Sequence, residues 1–419
     1  MNLLNRKKPV LLTLMIAAAI IVLVLIAMEI HNFSLTYREK NEIQHIEMLT
    51  GWGSYSEKNI AMSDIIQNYS KINPDVSISN TSLTGEKFYT KLAADFTAGC
   101  AADIIIAPPS YDIMRLYERG YIADLSNEIA TDSTLSDSLD REILKFVSDD
   151  KSHVYGIPTD VQYVLLYCNK ELFSKYNISI PRKYSDFTAA ITKFASAGIT
   201  PIAFGANDPN IYLYQIIASN FKDEPMTEKK TGNIPPQYSR ALREMCSLKD
   251  MGAFPSGYGH MTSDDAKRMF LDNEAAMIVE TNNFINDITR NIGSSTTDYT
   301  KYTQKFEIIA FPYDSRSQNS VVFSTVAYNA GEYTIFINKK SYETNYDRII
   351  NFVKYLIEGD TLRLYLAQTN DIMTVKDIEN KEYKMPLVAK CKMAVGNATK
   401  FTRMPIDITY RYVWISSLQ

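Results

Sequence analysis

Apolar residues follow two alternating periods along the chain after residue 44. Short apolar or alternating runs predict strands, and runs with apolar residues three and four positions apart predict helices. The predicted strands are 46–49, 76–79, 102–107, 161–167, 199–204, 275–279 and 307–310. The predicted helices are 57–71, 86–98, 171–176, 185–196 and 263–272. This alternation predicts an α/β protein with mostly parallel sheets covered by helices on both faces.

Ligands of such sheets bind beyond the carboxyl ends of the strands. In the first part of the chain these ends are residues 52–54, Thr84–Gly85 and Ser110–Tyr111. Position alone therefore predicts that these three segments border a binding site.

The N-terminus carries a long apolar run. Arg6-Lys7-Lys8 precedes PVLLTLMIAAAIIVLVLIAM, which is uncharged from Pro9 to Met28. As a helix, about 20 residues reach roughly 30 Å, enough to cross the hydrocarbon core. We therefore expect residues 1–30 to be a transmembrane anchor, 31–43 to be a polar linker, and the rest to lie outside the cytoplasm. A long cleaved signal peptide is the alternative, and it also implies export.

The composition narrows the possible functions. With 419 residues the chain is long enough for two domains. Its net charge of −4 and pI near 5.7 argue against a nucleic-acid partner. The histidines and cysteines show no metal-ligand spacing, so no metal or cofactor is expected, and no GxSxG or HExxH motif is present. Buried free thiols are expected, rather than disulfides, at Cys100, Cys168, Cys246 and Cys391.

Several phrases, taken in order, resemble the bacterial extracellular solute-binding proteins of the sugar-binding family 1, to which maltose-binding protein belongs. They are LYERGYIADLSNEI (116–129), HVYGIPTDVQYVLLYCNKELFSKYNISIP (153–181), FASAGITPIAFG (194–205), MFLDNEAAMIVETNNF (269–284), FEIIAFP (306–312) and INFVKYLIEGDTLRLYLAQTN (350–370). Together they extend the resemblance over roughly residues 44–377.

The resemblance implies a bilobed α/β fold with two mixed, largely parallel sheets flanked by helices and hinged at chain crossings. The crossings it implies are 157–161, 311–313 and the stretch from 368 to 373. The first lobe would then comprise 44–158 plus 313–368, and the second 162–310 plus 370–419. A few residues at such crossings can absorb the rotation of hinge closure.

Candidate ligand-binding residues in the first lobe follow from strand-end position and from the family. Trp52 would stack on a sugar ring, although core packing explains a lone tryptophan equally well. Glu57 would either bind hydroxyl groups of the ligand or serve only as an acidic residue in the first turn of a helix, where the helix dipole stabilises it. Thr84, Ser110 and Tyr111 are the remaining strand-end candidates.

At the hinge and in the second lobe, Asp160 would accept bonds from sugar hydroxyls or fix the turn. Asn207 and Asp208 follow a strand, although turn chemistry alone favours such residues. The family commonly has glycine and tryptophan where this chain has ETNNF, which indicates a more polar site or a displaced aromatic platform. The candidates from this segment and from a later loop are Glu280, Asn282, Phe284 and Tyr328.

By this resemblance the protein is a monomeric receptor of an ABC importer that captures a carbohydrate and delivers it to permease subunits in the membrane. A membrane-anchored sensor with the same fold is the alternative, and the long anchor and the ETNNF segment favour it. A secreted carbohydrate-active enzyme is a third reading, but with 48 acidic residues a carboxylate pair such as Asp160 and Glu280 carries no specific signal for it.

Overall fold

The structure is a computed structural model. It describes residues 22–29, 43–207, 212–221, 236–292, 303–314, 322–376, 378 and 386–403. Of the predicted anchor, it describes only 22–29, which are helical, and Asp208 lies outside the described residues. Across the ranges given above, no helix has both the length and the apolar character needed to span a bilayer.

Strands and helices alternate over residues 44–118, as the apolar pattern predicts, whereas the described elements at 111–144 and 339–366 are runs of helices and those at 306–337 are strands. The described strands are β1 (Gln44–Thr50), β2 (Val76–Ser82), β3 (Ile104–Ile106), β4 (Ile157–Pro158), β5 (Asp160–Asn169), β6 (Thr200–Ile202), β7 (Ala275–Thr281), β8 (Phe306–Ile309), β9 (Phe311–Asp314), β10 (Val322–Ala330), β11 (Thr334–Ile337), β12 (Ile372–Met373) and β13 (Lys400–Arg403).

The helices of the first half, with α1 as residues 22–29, are α2 (Glu57–Ile72), α3 (Gly85–Ala98), α4 (Tyr111–Glu118), α5 (Ser126–Thr131), α6 (Ser133–Ser138), α7 (Arg141–Leu144), α8 (Lys170–Lys175) and α9 (Tyr184–Ser196). Those of the second half, with α14 as residues 303–305, are α10 (Tyr212–Asn220), α11 (Pro236–Asp250), α12 (Ser263–Leu271), α13 (Phe284–Ile292), α15 (Lys339–Thr344), α16 (Tyr346–Ile357), α17 (Gly359–Leu366) and α18 (Pro386–Gly396). Short 3-10 turns occupy Lys145–Val147 and Tyr258–His260.

The first sheet has five described strands in the order β2-β1-β3-β11-β4. Strands β1 and β3 are parallel, with Met48 opposite Ile104. Strand β11, from much later in the chain, runs antiparallel to both β3 and β4. We call this sheet and the helices packed on it the first lobe.

The second sheet has eight described strands, with β13-β10-β5-β7-β6 as its main path. The long strand β5 pairs antiparallel with β7, β8, β10 and β12, and β9 pairs antiparallel with β10. Only β6 with β7 and β10 with β13 are parallel among its described pairs. The expected largely parallel sheet is therefore wrong for the second lobe, because β5 lies between strands that run in the opposite direction. Apolar periodicity predicts strands but does not give their direction.

Over the described residues, the chain crosses between the two sheets three times. The first crossing is at Thr159, between β4 of the first sheet and β5 of the second. The second is at residues 331–333, between β10 and β11, and not at 311–313, which belong to β9 in the second sheet. The third precedes β12, whose Ile372 lies opposite Val161. Strand β10 lies between β9 and this second crossing in the sequence, and the apolar pattern did not predict it.

Apolar helix faces supply the cores of the two lobes. Phe88, Leu92 and Phe96 lie four positions apart on α3 and are buried, which confirms the predicted apolar face of this helix. In the second lobe, apolar side chains cover both faces of the sheet. All four cysteines are free, but only Cys168 and Cys391 are buried, so the expected burial is wrong for the other two.

By density of contacts, the chain divides into two compact units that do not coincide with the sheets. The smaller is Met1–Ile46 with Ile66–Ser79, and the larger is Glu47–Ile65 with Asn80–Gln419. Within the smaller unit, Gln44 N donates to Asp75 O at 2.7 Å. All the site residues described below belong to the larger unit.

Candidate functional site

Each of the three crossings carries a carboxylate, and all three carboxylates surround one lysine. Asp160 begins β5, Glu332 lies between β10 and β11, and Asp371 directly precedes β12. Lys58, in the first turn of α2, has its Nζ 2.9 Å from Glu332 Oε2 and 2.8 Å from Asp371 Oδ2. We call these four residues the crossing cluster.

Burial and mutual charge interactions shift the pKa values of Lys58, Asp160 and Glu332 in the crossing cluster. Burial alone would lower the pKa of Lys58, but the adjacent carboxylates, Asp371 first, outweigh burial and raise it. Burial raises the pKa of Asp160 to about 8, with the Asp371 charge adding to the rise and Lys58 opposing it. Burial would also raise the pKa of Glu332, but Lys58 more than compensates and lowers it. The ionised forms at neutral pH are therefore Lys58 and Glu332, while Asp160 retains its proton.

Two hydrogen bonds and the close approach of two chain segments hold the crossing cluster in place. Asp160 Oδ1 accepts a hydrogen bond from Tyr333 N at 2.9 Å, and Asp371 Oδ2 accepts one from Tyr365 Oη at 2.6 Å. Gly331 lies so close to Asp160 that a Cβ there would sit 2.2 Å from the carboxylate. A glycine is therefore required at this crossing by the close approach of the two segments.

Trp52 lies beside the same crossing, packed into an aromatic cluster. Its indole meets Tyr333 edge-on at 5.6 Å and Tyr365 at 6.1 Å, and its Nε1 donates to Glu332 O at 3.1 Å. Only 7% of the residue is exposed. The ring thus packs against the crossing, and its stacking on a ligand stays a prediction.

Glu57 begins α2 and meets the second lobe. Arg290 of α13 donates from Nε to Glu57 Oε1 at 3.0 Å and from Nη2 to Oε2 at 2.8 Å. Burial would raise the pKa of Glu57, but the hydrogen bonds and charge of Arg290 lower it. The carboxylate predicted to bind hydroxyl groups is therefore already paired with a guanidinium.

The other first-lobe candidates cluster at two helix N-termini. Thr84 is the exposed N-cap residue of α3, and its side chain makes no capping bond. Ser110 is the buried N-cap of α4, where its Oγ accepts from Ile113 N at 3.4 Å. Tyr111 is half-buried, with Arg115 over its ring at 5.6 Å. Tyr89 of α3 hydrogen-bonds Ser110, which connects these two helix starts.

In the ETNNF segment, the structure places the side chains mainly inward. Glu280 is 5% exposed, and it accepts from Ser263 Oγ and from Thr281 N, both at 3.2 Å. Burial raises the pKa of Glu280 to about 7, against the opposing charge of Lys267. A cavity of about 20 Å³, little more than one water, borders this carboxylate.

Asn282 and Phe284 are also engaged within the second lobe. Asn282 Oδ1 accepts from Tyr163 N at 2.7 Å, which ties β5 to the end of β7. Phe284 is 1% exposed and packs edge-on against Tyr167 at 5.2 Å. Its ring is therefore part of the second-lobe core and is not displayed as a platform at the surface.

The remaining described candidates are Asn207 and Tyr328. Among the described hydrogen bonds, none joins either of them to the crossing cluster. Asn207 is exposed and its N donates to Met261 O at 2.9 Å. Tyr328 of β10 is half-buried, with its ring 5.4 Å from Phe146 and 6.5 Å from Tyr163.

Sequence reasoning found Asp160 but missed Lys58, Glu332 and Asp371. It also missed Gln162, whose Nε2 donates to Glu332 Oε1 at 3.1 Å. Lys58 falls on the apolar face of α2, since it precedes the buried Met62 by four positions, and this placement was an available signal. Gln162, Glu332 and Asp371 lie far apart in the sequence. They become neighbours only because the chain crossings bring them together in the fold. Where side chains are described, the structure holds no group of three or more His, Cys, Asp and Glu arranged to bind a metal ion.

Two sheets linked by three chain crossings, with polar groups converging at the crossings, define a bilobed solute-binding-protein fold. The model of the bacterial extracellular solute-binding protein family matches residues 53–358. Because this match covers well over half of the chain, the protein belongs to that family. No curated protein sequence matches the chain significantly.

Solved structures share the fold at low sequence identity. One, from Caldanaerobius polysaccharolyticus and described in work on xylan utilization, has a TM-score of 0.71 and 23% identity and covers 89% of this chain and 94% of its own. RafE of Streptococcus pneumoniae in complex with raffinose has a TM-score of 0.65 and 15% identity, with 89% and 94% covered. Maltose-bound T. maritima MalE3 has a TM-score of 0.66 and 17% identity, with 88% and 92% covered.

Proposed function

We propose that this protein is the extracytoplasmic receptor of an ABC importer and that it captures a sugar or oligosaccharide between its two lobes. The family match supports a solute-binding role. The ligands of two structural neighbours, raffinose and maltose, support a sugar. The observation that carries the proposal is the meeting of polar side chains from both sheets at the three crossings, where Glu332 contacts Lys58 and Gln162.

The physical basis is differential contact in two states. A ligand that touches both lobes at once favours the closed state, because the open state offers only one set of those contacts. The lobes that we propose are those expected from the sequence, with one change. The second boundary moves from 310–313 to 331–333, because β9 and β10 pair within the second sheet.

We further propose that residues 1–30 anchor the protein in the membrane, that 31–43 link the anchor to the lobes, and that the bulk is extracellular. The receptor acts as a monomer, delivers its ligand to permease subunits and has no catalytic activity. Resistance of the full chain to alkaline carbonate extraction, with loss of the lobes from intact cells on protease treatment, is the expected result. Release into the carbonate supernatant would contradict the anchor.

The direct test of the binding function is isothermal titration of the full chain in detergent micelles with maltose, raffinose, xylobiose and chitobiose. Saturable one-to-one binding of at least one sugar, without its turnover on prolonged incubation, is expected. A folded chain that binds none of the four would contradict the proposal. Uptake of the bound sugar by cells, lost on deletion of the gene and restored by its return, separates an importer receptor from a sensor.

A further inference from the structure

Glu332 differs from the other two carboxylates of the crossing cluster in its exposure. Its side chain is 32% exposed, whereas that of Asp371 is fully buried and Asp160 is 0% exposed. All three lie near Lys58, but within the crossing cluster Glu332 is the carboxylate with an exposed side chain. Among the carboxylates of the cluster, Glu332 alone can meet a solute that enters from the solvent.

Groups from both lobes hold Glu332 in one position. Gln162 of the second lobe donates from Nε2 to Oε1 at 3.1 Å, and Lys58 of the first lobe contacts Oε2 at 2.9 Å. The main-chain oxygen accepts from Trp52 Nε1 at 3.1 Å. Each carboxylate oxygen can accept more than one hydrogen bond, so both retain capacity for a ligand. A fixed acceptor of this kind avoids much of the ordering cost of binding.

The charge around Glu332 restricts the kind of ligand. Lys58 lowers the pKa of Glu332 and keeps it ionised, so the side chain is an acceptor only. Asp371 lies against the same lysine, so one ammonium faces two carboxylates besides Asp160. Lys58 Nζ already contacts Glu332 at 2.9 Å and Asp371 at 2.8 Å, so a second anion brought here by a ligand would lie beside the ionised Glu332 with no uncommitted ammonium in the crossing cluster to pair with.

We propose that Glu332 is the specificity-determining carboxylate of the ligand site: it accepts hydrogen bonds from hydroxyl or ammonium groups of a neutral or amino sugar and excludes anionic sugars. This inference rests on the proposed function, and it adds the chemical class of sugar and the residue that selects it. Hydroxyl groups that donate to an ionised carboxylate form charge-assisted hydrogen bonds, which are the stronger kind.

The experiment compares the full-length wild type with Glu332→Gln by isothermal titration in micelles. The probes are the neutral sugar that binds from maltose, raffinose, xylobiose and chitobiose, its uronate derivative, and glucosamine with glucuronate as a charged pair. We expect the wild type to bind the neutral sugar at least tenfold more tightly than the uronate, and glucosamine more tightly than glucuronate. Glu332→Gln should weaken neutral-sugar binding at least tenfold and reduce the discrimination against the uronate.

The outcomes separate the inference from the function on which it rests. If the wild type binds a neutral sugar and Glu332→Gln binds it within twofold, the inference is overturned while the receptor function stands. If the wild type binds no sugar, the proposed function and the inference fall together. Glu343→Gln, which changes a glutamate of α15 with a 61% exposed side chain, is the matched control and should bind like the wild type.

A second variant keeps the test decisive if Glu332→Gln does not fold. Glu332→Asp retains the charge but withdraws it by one methylene. It should lose neutral-sugar affinity at least tenfold and still reject the uronate. Unchanged affinity for the neutral sugar in Glu332→Asp would overturn the inference.

Discussion

Glu57 and Arg290 join the two lobes through a bidentate ion pair, with both guanidinium–carboxylate contacts at 3.0 Å or less. Glu57 begins α2 of the first lobe, and Arg290 lies in the last turn of α13 of the second lobe. The pair thus stabilises one arrangement of the lobes. Because the side chains are 34% and 56% exposed, solvent screens the interaction.

We predict a coupling free energy of about 0.5–1 kcal/mol between Glu57 and Arg290, the value of a well-formed surface pair. A double-mutant cycle with Glu57→Gln and Arg290→Gln, followed by urea unfolding, measures it. The coupling should decrease at high salt. A coupling that is zero at low salt would show that the pair does not form in solution.

Removal of Lys58 should cost far more stability. Lys58→Met leaves buried carboxylates without their counter-ion, and breaking such a pair costs about 3–5 kcal/mol in free energy of unfolding. Urea unfolding at neutral pH measures this loss. Lys91→Met is the matched control, because the pair of Lys91 with Asp95 lies at the surface with the lysine side chain 40% exposed.

The control should lose less than about 1 kcal/mol. Part of the Lys58→Met loss should be recovered in mildly acidic solution, where the carboxylates can bind protons. Equal losses in the two lysine variants would contradict the buried charge cluster.

Asp160 should make the protein less stable as the pH rises. Its pKa increases from the usual 3.8 to about 8 on folding, so the folded state binds the proton more tightly. The stabilising contribution is complete below the unfolded pKa, near pH 4, and is lost as the pH rises through that of the folded state, near 8.

Asp160→Asn removes this titration while retaining an oxygen for the Tyr333 N–H. The difference in free energy of unfolding between the wild type and Asp160→Asn should therefore fall between pH 4 and pH 8. Chemical denaturation at intervals of pH tests the trend. A difference that is constant or rises over this range would be the contrary result.

Gly331→Ala should disrupt the second crossing. The added Cβ would stand 2.2 Å from the Asp160 carboxylate, so the backbone or the buried side chain must move. We expect a loss of about 1–3 kcal/mol in free energy of unfolding, as for other overpacked sites. Gly396→Ala is the control, because a Cβ added there, at the end of α18, would meet no atom within 4 Å among the described residues. Similar stability of the two alanine variants would argue against the close approach.

Individual helices and strands could be predicted because the apolar pattern that specifies each of them lies within one short segment of the sequence. The apolar spacing on α3 and the β-branched and aromatic run of β5 both appear within one segment, and both elements formed as expected. The direction of strands in the second sheet could not be predicted in this way. It depends on which distant segments lie beside β5.

The candidate site was less accessible from the sequence than the fold. Asp160 was identified because it follows a recognisable proline turn at a crossing. Glu332 was not, because its role depends on Lys58 and Gln162, which approach it only in the folded chain. Phe284 shows the converse, since an aromatic residue in a family binding segment turned out to be fully packed inside the second lobe.

The placement of β11 between β3 and β4 has a consequence for how the molecule is made. Ribosomal synthesis delivers β1, β2 and β3 early, yet their sheet lacks its inner strand until residues 334–337 emerge. Until then the nascent first lobe presents an unpaired edge at β3, the kind of edge that other chains can join. Pairing of strands so distant in the sequence slows folding and lengthens the time during which the open edge can aggregate. Chaperones that cover this edge during export would protect the chain.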